Sequence, residues 1–136
     1  MKTVAMALFP DFLLLDMAGP LEVFSIANRY LPAADHYQIL TIGTEPGPLQ
    51  ASNGVSVQTD LLLEQAQAAY DLLLVPGGPG AYNECHPALL PWLRVAAPRA
   101  RRFGSICTGA FVLGHAGLLD GHRVTTHWHY TERLIK

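Results

Sequence analysis

Short, mostly apolar runs separated by helix-length segments constrain the fold of this chain more than any other feature. Residues 3–9, 37–42 and 71–75 are runs of this kind. A strand in the middle of a parallel sheet has this composition because neither of its faces meets water. Between these runs, residues 20–29 and 87–100 carry helical patterns, with Pro20 suited to a first helical turn. The alternation predicts an α/β fold with a mostly parallel sheet.

Shorter elements complete the expected order. Residues 54–59 alternate like a hairpin arm, and residues 61–69 are typical of a short helix. Residues 124–126 indicate a strand, followed by a helix that begins at Tyr130 and continues to Lys136. The chain has no internal repeat or linker, so residues 1–136 are expected to form one domain.

The composition excludes several classes of protein. Half of the residues are hydrophobic, 15% are charged and the formal net charge is −2, so the chain has no basic stripe of the kind that binds nucleic acid. Pro10, Asp11 and Asp16 interrupt the apolar N-terminal run, which therefore predicts neither a signal peptide nor a membrane span. We expect a cytoplasmic protein with reduced thiols and no membrane partner.

Cys107 is the leading candidate for a reactive residue. Ser105 and Gly109 lie two residues before and two residues after it. Small residues at these places are what a tight strand-to-helix turn requires, as in a nucleophile elbow. The N-terminus of the following helix would favour a thiolate at the turn. The alternative is that Cys107 is a small buried apolar residue, as free cysteines commonly are.

Two further features are expected at the same edge of the sheet as Cys107, because ligands of open α/β sheets bind at the carboxyl ends of the strands. The glycines of the Pro76-Gly77-Gly78 segment could bring backbone N–H groups to an anion formed on a substrate, and the Thr108 amide could add another. Asp16 follows three leucines, a costly place for a carboxylate without partners. It is either an acid paired with the Cys107 thiol or the N-cap of a helix.

Histidines and the second cysteine offer weaker signals. His127 could line the site as a base or a hydrogen-bond partner of Cys107. The four histidines in the last third of the chain match no familiar zinc pattern, and Cys85 and Cys107 show no CxxC spacing. We therefore expect no metal and no cofactor.

Four separated segments resemble the ThiJ/PfpI superfamily over essentially the whole chain. They are residues 15–24 (LDMAGPLEVF), 75–78 (VPGG), 105–113 (SICTGAFVL), and 117–121 (GLLDG) with 125–128 (TTHW). The resemblance implies a flavodoxin-like three-layer sandwich, as in class I glutamine amidotransferases. Within the superfamily the chain is similar to the N-terminal domain of AraC-type transcriptional regulators and to isonitrile hydratases.

These two branches imply different functions. In a regulator, the domain would be a sensor with a small-molecule or redox-responsive pocket around Cys107, and DNA would be bound by a domain not present in this chain. In an enzyme of the isonitrile hydratase type, the resemblance makes Cys107 the nucleophile, Asp16 the acid/base and Thr108 a helper in positioning substrate or water. Gly77, Gly78 and His127 would contact the ligand in either case. The regulator is favoured, and whether the protein is an enzyme stays open.

The chain departs from the superfamily in two ways. Proteases of the PfpI type have histidine directly after the nucleophilic cysteine, where this chain has Thr108. The superfamily domain also continues for several more strands and helices, so residues 1–136 are expected to be incomplete at the C-terminal end. Such a sheet would expose an unpaired edge strand, which predicts either a homodimer or a chain cut short.

Overall fold

A computed structural model of the protein describes residues 1–66, 68–83 and 85–135. Within them, five strands form one parallel sheet in the order β5-β2-β1-β6-β7. The strands are β1 (Lys2–Leu8), β2 (Tyr37–Gly43), β5 (Leu61–Leu62), β6 (Leu72–Val75) and β7 (Arg102–Ser105). A small antiparallel hairpin pairs β3 (Leu49–Gln50) with β4 (Ser56–Val57), which confirms the expected hairpin arm.

The helices flank the sheet as α/β topology requires. They are α1 (Leu14–Ala27), α2 (Pro79–Asn83), α3 (Leu89–Arg99), α4 (Ala110–His115) and α5 (Thr131–Ile135), with short 3₁₀ turns between them. From β1 the chain steps to β2 on one side of the sheet, whereas from β6 it steps to β7 on the other. Since such crossovers are right-handed, α1 and α3 cover opposite faces. The expected three-layer α/β sandwich is confirmed.

The core is centred on β1. Residues 4–8 of this strand are almost completely buried, as expected for a strand with neighbours on both sides and helices on both faces. Phe9 and Phe12 continue this core beyond the strand end. Burial at the end of β1 fixes the loop that leads to α1, and this loop carries the chain toward Asp16.

Helix α1 begins six residues earlier than the sequence predicted. The Leu13 N–H donates to the Gly77 carbonyl (2.7 Å), and the Asp16 N–H donates to the Leu13 carbonyl (3.1 Å), so the helix is anchored at its start. Pro20 lies inside the helix, where it removes only the hydrogen bond to the Asp16 carbonyl. The expected start at Pro20 is therefore wrong.

Two other expected elements are also wrong. Residues 61–69 do not form a helix: β5 pairs with the end of β2, and Leu63–Gln65 forms a 3₁₀ turn, while Gln67 lies outside the described residues. The Thr41 N–H and the Asp60 carboxylate, 2.9 Å apart, fix this pairing. Residues 124–126 form no strand. The helix expected from Tyr130 is confirmed as α5, which begins one residue later, after a 3₁₀ turn (Trp128–Tyr130), while Lys136 lies outside the described residues.

In the described part of the chain, β7 is an edge strand. None of the helices described has the length and apolar character needed to cross a lipid bilayer.

Candidate functional site

Cys107 occupies a strained turn between β7 and α4. Its φ is +53°, a region that residues other than glycine rarely adopt. A 3₁₀ turn (Cys107–Gly109) begins at this residue and leads directly into α4. A Cβ at Gly109 would lie 2.7 Å from the Pro76 carbonyl oxygen, so the turn leaves no room for a larger residue there. The predicted elbow geometry is confirmed.

The turn lies at the topological switch point of the sheet. The carboxyl ends of β1 and β6 are neighbours here, and the chain leaves these two strands toward opposite faces. The loop after β1 leads to Asp16, the loop after β6 carries Gly77 and Gly78, and β7 next to it leads to Cys107. The structure therefore brings together the three regions that the sequence singled out.

Asp16 lies in the first turn of α1 and is not its N-cap, which is Leu13. Its carboxylate accepts the Gly77 N–H at 3.1 Å. Burial raises the pKa of Asp16, against the opposing effects of the Gly77 N–H and of the nearby His127. The structure records no hydrogen bond between Asp16 and the Cys107 sulfur among the described residues, so the pairing of the two stays a prediction.

Thr108 accepts the N–H of Gly78, as Asp16 accepts the N–H of Gly77. Its side chain is 3% exposed, and its Oγ1 accepts the Gly78 N–H at 2.9 Å. Gly78 has a φ of +115°, and a Cβ there would lie 2.8 Å from the Asp11 carbonyl oxygen. The N–H groups of both glycines are thus engaged by side chains of the protein, and neither is free for a ligand in this conformation.

The Thr108 amide is the remaining backbone donor at this place. The structure records no acceptor for it within the described residues. A Cβ at Gly77 would lie 2.8 Å from the Thr108 nitrogen and 2.8 Å from the Asp16 Oδ2. The absence of a side chain at Gly77 therefore lets the Asp16 carboxyl group and the Thr108 N–H approach the glycine loop closely, and a larger residue would not fit there.

The segment from Thr125 to Tyr130 covers the Cys107 turn. The Thr126 hydroxyl donates to the Cys107 carbonyl at 2.9 Å, so this residue is held against the turn. His127 lies close enough to Asp16 to lower the pKa of its carboxyl, while its own Nδ1 accepts the His129 N–H at 3.1 Å. The structure thus places His127 beside the acid and not in a recorded hydrogen bond with Cys107.

Sequence reasoning missed two aromatic residues at this site. The hydroxyls of Tyr82 and Tyr130 lie 3.1 Å apart, and this hydrogen bond is the largest cause of the raised pKa of Tyr82, to which an electrostatic effect of Cys107 adds. The position of Tyr82 shortly after the glycine segment could have indicated that it lies at the site. No sequence pattern could have indicated Tyr130, because its contact with Tyr82 spans 48 residues of sequence.

Other candidates lie outside this arrangement. Cys85 is exposed in the loop after α2. No group of three or more histidine, cysteine, aspartate or glutamate side chains in the described residues could hold a metal ion. A cavity of about 570 Å³ lies along β7 and is lined by Phe103, Leu113, Leu118, Arg123 and Val124, among others; it does not include Cys107.

Comparisons with known proteins agree with this geometry. The sequence profile of the DJ-1/PfpI family matches residues 2–136. The chain is 43% identical over 136 residues to an uncharacterised protein from the cpoL 5' region of Streptomyces lividans, covering 98% of this chain and 92% of that protein. Among solved structures, a THiJ/PfpI family protein from Pseudomonas syringae superposes with a TM-score of 0.83 at 23% identity, over 98% of this chain and 53% of that one.

Two relatives with functional names are longer than this chain. It is 40% identical over 121 residues to the HTH-type transcriptional regulator CdhR from Pseudomonas aeruginosa, covering 89% of this chain and 35% of the regulator. It is 33% identical over 132 residues to the isonitrile hydratase from Pseudomonas putida, covering 96% of this chain and 54% of the enzyme. The chain therefore spans about a third of the regulator and about half of the hydratase.

Proposed function

The chain belongs to the DJ-1/PfpI family, and we propose that it is the sensor domain of an AraC-type transcriptional regulator, with a ligand pocket around Cys107. Similarity to a regulator of which it covers only 35% supports this proposal, because such a share corresponds to one domain of a longer protein. DNA would then be bound by a domain outside these 136 residues. The proposal implies a cytoplasmic setting in which Cys107 stays reduced until a ligand or an oxidant reaches it.

The state of the glycine amides is the observation that carries the proposal. Acyl-transfer-like chemistry needs preorganised donors aimed at the charge that develops on the substrate. Here Asp16 and Thr108 already accept the N–H groups of Gly77 and Gly78, which leaves the Thr108 amide as the backbone donor beside Cys107. A site with its donors satisfied internally is better suited to holding a ligand than to stabilising an anionic intermediate.

Hydration of isonitriles is the second candidate, because the site contains Asp16, Cys107 and Thr108 and the chain is similar to an isonitrile hydratase. The Cys107 thiolate would attack the terminal carbon of the isonitrile, and the protonated Asp16 would transfer its proton to that carbon, giving a thioimidate. Addition of water would then release the N-substituted formamide and restore the thiol. The raised pKa of Asp16 suits the proton-donor role.

An assay with cyclohexyl isonitrile separates the two functions. The purified protein and its Cys107→Ala variant are incubated with the isonitrile, and formamide is measured by chromatography, with Cys85→Ala as the matched control. We expect no formamide production that depends on Cys107. Turnover that survives in Cys85→Ala and is lost in Cys107→Ala would overturn the sensor assignment in favour of the enzyme.

A second measurement tests the regulator directly. The protein is isolated from its native host and sequenced by mass spectrometry beyond residue 136. The proposal predicts a helix-turn-helix segment in the same polypeptide. Its absence from the native protein would contradict the regulator assignment, whatever the result of the isonitrile assay.

We also propose that the chain forms a homodimer through β7. The Arg102 N–H donates to the Asp71 carbonyl and the Ile106 N–H donates to the Val75 carbonyl, so these alternate residues face β6. The backbone groups of Phe103 and Ser105 consequently point away from the sheet, and an unpaired edge of this kind favours strand pairing between two copies. Sedimentation equilibrium should show a monomer–dimer equilibrium; a monomer at every concentration would contradict it.

A further inference from the structure

The carbonyl of Cys107 accepts a hydrogen bond from a distant part of the chain. The Thr126 hydroxyl, 19 residues further along the sequence, donates to it at 2.9 Å. The Ala110 N–H, at the end of the 3₁₀ turn, donates to the same oxygen. A carbonyl oxygen has two lone pairs, so both of its acceptor positions are used. The turn at Cys107 is therefore held both by its own backbone and by the C-terminal segment.

The backbone of Cys107 needs this support. Its φ of +53° is unfavourable for a residue with a Cβ, and such a conformation persists only where the surrounding contacts fix it. Before the turn, the Ile106 N–H donates to the Val75 carbonyl, and within it the Gly109 N–H donates to the Ile106 carbonyl, both at 2.9 Å. The Thr126 hydroxyl adds a contact from outside the turn, at the peptide unit that follows Cys107.

This peptide unit carries both the Cys107 carbonyl and the Thr108 N–H. The described residues contain no cis peptide bond, so the two groups point in opposite directions within one plane. The carbonyl faces Thr126, and the Thr108 nitrogen lies on the side of Gly77, where a Cβ would approach it to 2.8 Å. A rotation of the unit that broke the bond to Thr126 would also turn the Thr108 N–H away from the glycine loop. The Thr126 hydroxyl thus sets the direction of the backbone donor beside the thiol.

Thr126 belongs to a segment with few other bonds to the domain. Within the described residues, its hydroxyl makes the one hydrogen bond recorded between residues 123–129 and any residue before them. Thr125 is exposed, whereas Thr126 is half-buried. Further along, the Tyr130 ring packs on Tyr82, with the ring centres 4.9 Å apart. The segment is therefore docked at Tyr130 and at Thr126, and Thr126 is the residue that bonds to the Cys107 turn.

We propose that Thr126 is a positioning residue for the Cys107 site: its hydroxyl orients the Cys107–Thr108 peptide unit, so that the thiol and the Thr108 N–H are presented while the C-terminal segment is docked. This inference rests on the proposed function, since it concerns the regulation of the same site. By reciprocity, a ligand that stabilises this orientation of the peptide unit also stabilises the docked segment. A sensor domain needs such a link, because ligand binding must change a part of the chain beyond the site itself.

Nuclear magnetic resonance observes this peptide unit directly. A triple-resonance spectrum that correlates each amide with the preceding carbonyl carbon gives one signal for the Thr108 N–H and the Cys107 carbonyl. Thr126→Val removes the hydroxyl from a side chain of similar shape and should move this signal, whereas Thr126→Ser keeps the hydroxyl and should leave it near its parent position. Thr125→Val is the matched control, because the recorded hydrogen bond of the Thr125 hydroxyl is to the neighbouring Thr126 carbonyl, at 3.4 Å.

The reactivity of the thiol provides a second measurement. In the Cys85→Ala background, the second-order rate constant of Cys107 with iodoacetamide is measured at fixed pH. Thr126→Val should lower it by about threefold to tenfold, because the loss of one hydrogen bond shifts the population toward a relaxed turn. Thr126→Ser and Thr125→Val should both stay within about twofold of the parent. Circular dichroism verifies that each variant is folded, and Thr126→Ala is used if Thr126→Val is not.

A double substitution tests the effect of docking. Tyr130→Ala removes the ring that packs on Tyr82, and it should lower the rate constant while Thr126 is present. In the Thr126→Val background its further effect should stay within about twofold, because the bond through which the segment acts is already absent. Equal effects of Tyr130→Ala in the two backgrounds would show that Thr126 does not transmit docking to Cys107.

The outcomes distinguish this inference from the proposed function. If Thr126→Val and Thr125→Val change the Thr108 signal and the rate constant equally, or if Thr126→Val raises the rate constant, Thr126 does not position the turn, and the Cys107 site remains. If Cys107 of the folded parent does not react with iodoacetamide at all, the accessible site itself is disproved and both proposals fall.

Discussion

The two ends of the parallel sheet place an aspartate in opposite electrostatic settings. At the amino end, Asp71 accepts the Thr3 N–H at 2.8 Å and the Thr3 hydroxyl at 3.3 Å, and the Thr3 N–H is the main cause of its lowered pKa. At the carboxyl end, Asp16 accepts one N–H, from Gly77, and burial raises its pKa. Hydrogen bonds stabilise the charged form of Asp71, whereas burial destabilises the charged form of Asp16.

This difference shows which end of the sheet serves structure and which serves function. A carboxylate that pins two neighbouring strands adds stability where it is charged. A half-buried carboxyl group with a raised pKa, next to a cysteine with a φ of +53°, is unfavourable for folding and typical of a functional site. The comparison leads to three predictions, the first with the largest expected effect.

Adding a side chain at Gly77, beside Asp16, should lower the free energy of unfolding the most. Gly77→Ala would place a Cβ 2.7 Å from the Thr108 Oγ1, and we expect the free energy of unfolding to fall by about 1–3 kcal/mol, as for other overpacked sites. The matched control is Gly104→Ala in β7, where the nearest atom lies 4.0 Å away and the change should stay within about 0.5 kcal/mol. Urea denaturation followed by circular dichroism measures both; equal losses would mean that the carboxyl end is no more tightly packed than the strand.

Oxidation should distinguish the cysteine of the turn from the cysteine outside it. Mild peroxide is expected to form sulfenic and sulfinic acid at Cys107 at least about threefold faster than at Cys85, because the strained turn holds the Cys107 side chain at the carboxyl end of the sheet, where ligands of such folds bind. Cys85 is the more exposed of the two, so accessibility alone predicts the reverse order. Peptide mass spectrometry after timed exposure gives both rates, and faster modification of Cys85 would refute this role of the turn.

The smallest effects are expected from neutralising the two aspartates, and they should have opposite signs. The lowered pKa of Asp71 means that its contribution to stability is present above the pKa of the unfolded chain, near 4, and is lost as the pH falls through the folded value. The raised pKa of Asp16 means that its protonated form stabilises the fold at low pH, and that this contribution is lost as the pH rises through the folded value.

At pH 7, Asp71→Asn should therefore lower the melting temperature, while Asp16→Asn should leave it unchanged or raise it slightly. As the pH falls towards about 2, the difference between each variant and the parent should shrink, first for Asp16, whose pKa is raised, and last for Asp71, whose pKa is lowered. Thermal melts at the two pH values provide the measurement. A loss of stability in Asp16→Asn at pH 7 equal to that in Asp71→Asn would remove the distinction between the two ends.

Much of the fold could be predicted because it depends on local composition. The apolar runs of β1, β2 and β6 indicated buried strands, and Gly109 indicated the tight turn at Cys107. Element β5 could not be predicted, because a hydrogen bond between Thr41 and Asp60 decides that this apolar stretch pairs as a strand. The path of residues 124–126 could not be predicted either, because it includes a hydrogen bond from the Thr126 hydroxyl to the Cys107 carbonyl, 19 residues away in the sequence.

The sequence predicted which residues lie at the site better than it predicted the hydrogen bonds between them. Asp16, Gly77, Gly78, Cys107 and Thr108 all lie at the carboxyl end of the sheet, as their positions after strands indicated. No sequence pattern indicated that side chains would engage both glycine amides, since that depends on the orientation of α1 and of the Cys107 turn. Nor did any pattern indicate the pair formed by Tyr82 and Tyr130, which depends on the path of the C-terminal segment.

The hydrogen bonds that hold the glycine loop also bear on the order of events during folding. The bond from Gly77 to Asp16 spans 61 residues, and that from Gly78 to Thr108 spans 30. Closing such long loops costs chain entropy before the contact contributes any stabilisation. Contacts of this range therefore form late in folding. The thiol environment of Cys107 is accordingly among the last parts of the molecule to reach its native form, and its reactivity reports on the completed fold and not on a collapsed intermediate.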